Sequence, residues 1–378
     1  MNNKIYLLLI LFMGFNAKSQ DLKKVNFDDK FKKENQGKSK VTIHEVKELL
    51  HIMIAITESG LDNDDMVNQE GEYYKDVIKY FEPFKNEPVI LKFDSLMKSN
   101  PLNYIFLTGN TISYNFKEKE LVKDKNYIFP AQSVSSHTVI KQNLISVYKK
   151  DIEDFSNKSD FRKFYKNSKK YYDKIISDYD KQANISRQWK WLENNFEAKV
   201  NSYVIMASPL IGGLNYTTSY KDNDFTQILL VVPPISNSTL LTELENTISN
   251  TRNIFTEIDH NYITCPTSKF QDELNEALKN RELWVNTKQE GTKYYPTPSK
   301  VFDEYMTWSL YSLYVLDNFQ GNQHAFNYIY KDINDVMTER GFPKIKEFND
   351  QLIELRKNKK DKKIEELYPE LIEWCKNQ

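Results

Sequence analysis

Histidine is rare in this sequence, and one of its five histidines lies in a pattern that suits metal chemistry. His260 ends the segment Thr256-Glu257-Ile258-Asp259-His260, which the apolar periodicity places on a helix. In an HExxH motif, two histidines one helical turn apart bind zinc, and the glutamate between them activates the metal-bound water. Here Glu257 and His260 are in register, but Thr256 replaces the first histidine. Because a threonine hydroxyl is a poor zinc ligand, the usual site is incomplete.

Glu304, near the start of a later apolar helix, offers a further carboxylate ligand. Two interpretations of the altered motif remain open. In the first, Glu257, His260 and Glu304 bind a divalent metal of harder character than zinc, and Asp259 orients a ligand or acts as a base. In the second, the site is vestigial, and its polar groups form a hydrogen-bonded cluster or a pocket that binds without turnover.

The elements that would position these residues can be predicted from their patterns. The segment SYVIMASPLIGGLNYTTSY and the apolar run TQILLVV predict a small sheet over residues 201–232. Helices are predicted over 240–262, which carries the motif, and over 298–318, which carries Glu304. Residues 41–200 read as mainly helical, with a short hairpin around Gly109-Asn110. The predicted fold class is α+β, mostly helical.

Five segments in this order resemble an exported bacterial family of unknown function that is related to gluzincin metallopeptidases. They are ELLHIMIAIT, SPLIGGLNYTTSY, IFTEIDHNYITCP, VFDEYMTWSLYSLYVLDNF and RGFPKIKEF, and the resemblance spans roughly residues 41–355. It implies a zincin-like part over 201–378, following the helical part at 41–200. Within that part, Glu257 matches the catalytic glutamate, His260 the second metal ligand and Glu304 the third. It also implies a strand at the edge of a substrate cleft.

If the protein hydrolyses peptides, Glu257 is the general base and then the proton donor, and the metal polarises the scissile carbonyl. The strand region from Ser208 to Tyr220 would pair with an extended substrate. Tyr305 and His324 are the candidates for stabilising the oxyanion. The candidates for lining the substrate cleft are Ser208, Gly212, Gly213, Asn215, Tyr305 and His324.

A second group of histidines lies near the N-terminus. His44 and His51 are two helical turns apart, with Glu48 on the same face between them. Either His51 belongs to a secondary pocket or metal site, or it is a partly buried histidine that is hydrogen-bonded to Glu48 or to the backbone.

The N-terminus predicts export. A basic start, an apolar run from Ile5 to Phe15 and the small residues Ala17 and Ser19 are typical of a signal peptide over 1–19, cleaved near Ser19/Gln20. The protein would then be periplasmic or secreted, and residues 20–40 read as a poorly ordered lead-in. Export permits a disulfide between Cys265 and Cys375, but two separate thiols fit equally well.

Composition limits the function classes. The chain has 378 residues, and 52 basic against 53 acidic side chains exclude nucleic-acid binding through bulk positive charge. No glycine-rich phosphate motif occurs, and no apolar run approaches the roughly 20 residues that span a membrane. We therefore predict a metallopeptidase-like protein with a degenerate metal site and a peptide or protein ligand, holding zinc, another divalent metal or none. The alternative is a non-enzymatic binding or envelope-interaction module on the same scaffold.

Overall fold

The computed structural model describes residues 23–134, 138–319 and 322–378, and of residue 290 the backbone alone. The structure is 60% helix and 12% strand, which confirms the predicted α+β, mostly helical class. The predicted signal peptide at 1–19 and the first residues of the lead-in lie outside the described residues.

The chain divides into two compact units. The first comprises residues up to Tyr179 together with Val200–Ile235, and the second comprises Asp180–Lys199 with Ser236–Gln378. This division differs from the predicted boundary near residue 201, because the sheet of 201–232 belongs with the preceding helices and not with the helix that carries Glu257.

The first unit contains helices and strands in alternating groups. Its helices are α1 (Asp29–Asn35), α2 (Glu45–Ala55), α3 (Glu58–Leu61), α4 (Gly71–Phe81), α5 (Pro88–Ser99), α6 (Asn103–Gly109), α7 (Leu144–Val147), α8 (Lys149–Lys158), α9 (Phe161–Asn167) and α10 (Lys169–Gln182), with 3-10 turns at Glu82–Phe84 and Thr111–Ser113. Its strands are β1 (Lys38–Thr42), β2 (Tyr114–Lys117), β3 (Glu120–Lys123), β4 (Ser133–Val134), β5 (Thr138–Val139), β6 (Ser202–Ala207), β7 (Tyr216–Asp222) and β8 (Phe225–Val232).

The main sheet has the strand order β1-β6-β8-β7. β1, β6 and β8 are parallel, and β7 runs antiparallel to β8 at one edge, with Tyr216 opposite Val231 and Asp222 opposite Phe225. The central strand β8 is apolar almost throughout, as expected for a strand that is covered on both faces. The strands predicted within 201–232 are therefore present, and β7 is an edge strand.

Two local predictions in this unit are wrong. From Asp29 onward the lead-in is ordered, since α1 and β1 form and Lys38 pairs with Ser202 of β6. A polar segment can do this because strand pairing uses the backbone, and an edge strand tolerates lysine.

The hairpin expected around Gly109-Asn110 is replaced by α6, because Asn110 has a φ of −88° and its side-chain amide donates to Phe106 O. The hairpin lies further on, between β2 and β3.

The second unit is helical throughout its described residues. Its helices are α11 (Ile185–Asn195), α12 (Glu243–Ile258), α13 (His260–Lys269), α14 (Gln271–Ala277), α15 (Arg281–Trp284), α16 (Pro298–Asn318), α17 (Gln323–Glu339), α18 (Ile345–Asn358) and α19 (Tyr368–Lys376), with 3-10 turns at Glu290–Tyr294 and Ile364–Leu367. α16 is buried from Val301 to Val315 and packs against α12, α13, α17 and α18. It is the core around which this unit is built.

Two further findings concern the whole described chain. None of the helices in the described ranges is both long enough and apolar enough to cross a bilayer. Cys265 is exposed, Cys375 is buried, and both are free thiols.

Candidate functional site

The altered HExxH segment lies where α12 meets α13. A capping box between Thr242 and Glu245 starts α12, and Asp259, which has helical backbone angles, joins its end to α13. The Asp259 amide donates to Phe255 O at 2.9 Å, so the helical path is nearly continuous. Glu257 and His260 are therefore one turn apart on neighbouring faces, as the sequence predicted.

The residues of the motif are buried and differ in their partners. Thr256 bonds its own helix, because its hydroxyl donates to Arg252 O at 3.1 Å. His260 Nδ1 lies 3.2 Å from the hydroxyl of Thr307 on α16. Glu257 is 2% exposed, and Asp259 is fully buried with the backbone of His260 beside its carboxyl group.

Glu304, the predicted third metal ligand, is committed to other partners. It is 1% exposed, its Oε1 lies 2.8 Å from Arg340 Nη1, and Trp308 Nε1 donates to the same oxygen at 3.0 Å. Arg340 also donates to Tyr295 Oη at 2.9 Å and lies 5.1 Å from the centre of the Trp308 ring. The sequence analysis did not single out Arg340 as the partner of Glu304, although Arg340 is the first residue of the segment RGFPKIKEF.

The arrangement of these residues does not match that of a zinc site. A zinc site needs three protein ligands that converge and an open position for water or substrate. Among the described residues, no three His, Cys, Asp or Glu side chains are grouped so that they could hold a metal. Since Glu304 is paired with Arg340 and Thr256 with its own helix, the residues present do not fit the three-ligand site that the resemblance implied.

Burial favours the neutral forms of the ionisable side chains of the altered motif, Glu257, Asp259 and His260. Burial, together with the charge of Glu304, raises the pKa of Glu257 to about 7. The pKa of Asp259 is raised well above its usual range by burial and by the carboxylates of Glu304 and Glu257. Burial, with the charges of Lys300 and Arg340, lowers the pKa of His260 to about 3. Near neutral pH the imidazole is uncharged and the carboxyl groups resist ionisation.

The two oxyanion candidates lie elsewhere. Tyr305 is fully buried, its hydroxyl donates to Trp284 O at 2.7 Å and accepts from the Lys344 amide at 3.2 Å, so it serves the core. His324 is exposed and lies 3.1 Å from Glu245, at the start of α12. Because Glu257 is near the end of that helix, the two are separated by about three turns, or roughly 18 Å. Neither is placed to stabilise an oxyanion beside Glu257.

The remaining cleft candidates belong to the first unit and are mostly structural. Ser208 is 1% exposed, and its hydroxyl accepts the Leu210 amide at 3.0 Å. A Cβ on Gly212 would lie 2.3 Å from Asp64 O, and one on Gly213 would lie 2.4 Å from the Asp65 carboxylate. Asn215 is half-buried, and its backbone N–H donates to Gly213 O. The glycine pair thus allows the segment at 64–65 to pack closely.

Replacing Gly212 with alanine is expected to destabilise the first unit by about 2 kcal/mol, because the methyl group would overlap backbone oxygens that cannot move freely. Gly291→Ala is the matched control, since a Cβ there meets no atom within 4 Å. Thermal unfolding followed by far-UV circular dichroism measures both. Equal melting temperatures for the two variants would contradict the packing role of Gly212.

His51 belongs to a polar cluster that the sequence revealed only in part. It is completely buried, and neither ring nitrogen has a hydrogen-bond partner among the described residues, so the expected bond to Glu48 is absent. Burial lowers its pKa well below the usual range. Instead Glu48 accepts from Tyr73 Oη at 2.7 Å, and the two tyrosine hydroxyls of Tyr73 and Tyr172 lie 2.8 Å apart.

Lys47, on the same helix, is 1% exposed and was not singled out from the sequence. Its ammonium group donates to Thr108 O at 3.0 Å and lies 5.6 Å from the centre of the Tyr216 ring on β7. Burial lowers the pKa of Lys47 to about 7, and burial raises that of Glu48 to about 7. A buried lysine rarely lacks a function or a partner.

A groove runs beside β7. Its cavity volume is small, about 20 Å³, and its lining is largely apolar. β7 forms one wall with Tyr216, Thr217, Thr218 and Tyr220, and the opposite wall comes from α6 and the segment before β5, with Ile105, Gly109, Pro130, Ala131 and Val134. The groove therefore lies against β7, which is an edge strand of the main sheet.

Comparison with known proteins found no relative of this chain. No family model matches the chain, and neither the curated proteins nor the solved structures include a significant match.

Proposed function

We propose that the protein is an exported, metallopeptidase-like binding protein that holds an extended polypeptide along β7 without cleaving it. This corresponds to the non-enzymatic alternative that the sequence left open. The observation that carries the proposal is the position of β7, an edge strand whose residues line a groove.

An edge strand presents unpaired backbone groups, and an extended peptide can satisfy them by adding a strand. Among the described strands, β7 pairs with β8 alone. Backbone pairing supplies affinity, while side-chain pockets beside the strand supply specificity. The apolar groove lined by Thr218 and Val134 offers such a pocket.

The surroundings of the altered motif support binding without hydrolysis. A metallopeptidase needs a Lewis-acid metal and a base near its bound water. Here Glu304 is held by Arg340 and Trp308, and the Thr256 hydroxyl is used by its own helix. The burial of two carboxyl groups, those of Glu257 and Asp259, beside His260 is the observation that favours the competing assignment, a peptidase with an altered metal site.

Peptide binding can be tested with an equimolar library of decapeptides. We expect bound peptide to slow hydrogen exchange in the fragment that contains β7, because its free amides become paired. Thr218→Trp should lower affinity at least about tenfold by filling the groove, whereas Ser219→Trp, on an exposed neighbour outside the groove, should not. Unchanged exchange in β7, or equal effects of the two variants, would contradict the proposal.

Hydrolysis is tested with the same library in the presence of zinc or manganese. We expect no cleavage by the wild-type protein and no difference from Glu257→Gln. Cleavage that disappears in Glu257→Gln would establish the peptidase assignment instead.

Export is tested by expressing the full chain in a bacterial host and sequencing the N-terminus of the periplasmic or secreted product. The signal predicts a mature chain that begins at Gln20. A cytoplasmic product that retains residues 1–19 would overturn this part of the proposal.

A further inference from the structure

Four polar side chains meet inside the first unit, beside the groove. Lys47 and His51 lie one turn apart on α2, Tyr104 lies on α6 and Tyr216 on β7; we call these four residues the donor cluster. The rings of His51 and Tyr104 are 5.8 Å apart in an edge contact, and Lys47 Nζ is 5.6 Å from the centre of the Tyr216 ring. All four side chains are buried.

The donor cluster has more hydrogen-bond donors than it uses. Lys47 uses one of its three N–H groups on Thr108 O. The Tyr216 hydroxyl lies beside the side chain of Thr108. The Tyr104 hydroxyl and both ring nitrogens of His51 are buried without a hydrogen-bond partner among the described residues. Buried polar groups in folded proteins are nearly always bonded, so each of these needs a partner.

The surplus of donors defines the chemistry of that partner. A carboxylate has two oxygens that accept hydrogen bonds and carries a negative charge. Hydrogen bonds from a lysine ammonium group to a carboxylate are stronger than those between neutral groups. The charge of Glu48 acts on Lys47, but no hydrogen bond joins the two side chains, and Glu48 Oε1 accepts from Tyr73. Lys47 is thus the amine of the donor cluster that can carry a positive charge, and no described acid accepts a hydrogen bond from it.

Tyr216 connects the donor cluster to the groove. Its ring lines the groove and also lies beneath the ammonium group of Lys47. Gly109 adjoins it on the other wall, where a Cβ would come within 3.3 Å of Tyr216 Oη. Tyr216 is therefore the residue that the groove and the donor cluster share.

We propose that the donor cluster binds the C-terminal carboxylate of the polypeptide that pairs with β7. This inference rests on the proposed function and narrows its ligand class to polypeptides that end at the groove. Lys47 supplies the opposite charge, and the hydroxyls of Tyr104 and Tyr216, with one ring nitrogen of His51, donate to the two oxygens.

The experiment compares two versions of one decapeptide library, with free and with amidated C-termini. We expect the free acids to bind at least about tenfold more tightly, because only they offer the charge that Lys47 pairs with. Lys47→Met and Tyr216→Phe should each reduce the affinity for the acids toward that for the amides. Lys79→Met, which changes an exposed lysine of α4, should preserve the difference.

The outcomes separate the two proposals. If acids and amides bind equally, the carboxylate assignment is overturned and binding along β7 stands. If neither library binds, both proposals are overturned. If one variant fails to fold, the other variant and the wild-type comparison still decide. A preference for acids that survives in both variants would also overturn the role of the donor cluster.

Discussion

Replacing Arg340 with methionine is expected to destabilise the second unit by about 3 kcal/mol. Glu304 is 1% exposed, and its nearest positive charge is Arg340, 2.8 Å away. Without Arg340 the carboxylate stays buried, with the Trp308 N–H and the Tyr295 hydroxyl beside it and the charge of Lys300 nearby. This loss of stability is at the lower end of the range for breaking a buried ion pair, because 24% of the Arg340 side chain is exposed.

Tryptophan fluorescence during urea unfolding measures this effect selectively. All five tryptophans belong to the second unit, so the first unit does not contribute to the signal. Lys331→Met, which breaks an exposed pair with Asp335 on α17, is the matched control and should change stability by less than about 0.5 kcal/mol.

A double variant separates lost charge pairing from lost packing. Glu304→Gln combined with Arg340→Met should recover about 2 kcal/mol, because a neutral amide no longer leaves a buried charge. The Trp308 N–H can still donate to the glutamine oxygen. No recovery in the double variant would show that Arg340 stabilises this unit through its stacking on Trp308.

The second large effect is a pH dependence that Lys47 imposes on the first unit. Burial lowers the pKa of Lys47 from 10.5 to about 7. Between these values the unfolded chain binds a proton that the folded chain does not, so stability rises with pH through this interval. Over the full interval the free energy of unfolding rises by about 5 kcal/mol, and about 2 kcal/mol of this rise occurs between pH 7 and pH 9.

Lys47→Met removes this dependence. Thr108 O keeps a donor in the variant, because the Thr111 hydroxyl donates to it at 2.6 Å. We therefore expect the free energy of unfolding of the wild-type protein to rise relative to Lys47→Met by about 2 kcal/mol from pH 7 to pH 9. Urea unfolding followed by far-UV circular dichroism measures this difference, and Lys79→Met should show none. A constant difference would mean that Lys47 stays protonated in the folded protein.

The local elements were predictable because their signals are local. The apolar period of 3.6 predicted a helix over 298–318, and α16 has these bounds. The β-prone runs within 201–232 became β6, β7 and β8. Gly109-Asn110 misled the prediction, because the same pair can end a helix or form a turn, and the bond from Asn110 to Ala131 O, 21 residues away, decides between them.

The sequence by itself determined the mostly helical α+β class, the small sheet and the register of Glu257 and His260, since each depends on spacing along a single element. Only the tertiary structure decided what these side chains do. The sequence predicts Glu304 as a metal ligand, but in the structure it pairs with Arg340, just after α17. Lys47 was not singled out from the sequence, and α6 and β7 contribute to its burial. The chemistry of a carboxylate or an amine is set by burial and by the charge opposite it, and both come from residues distant in the chain.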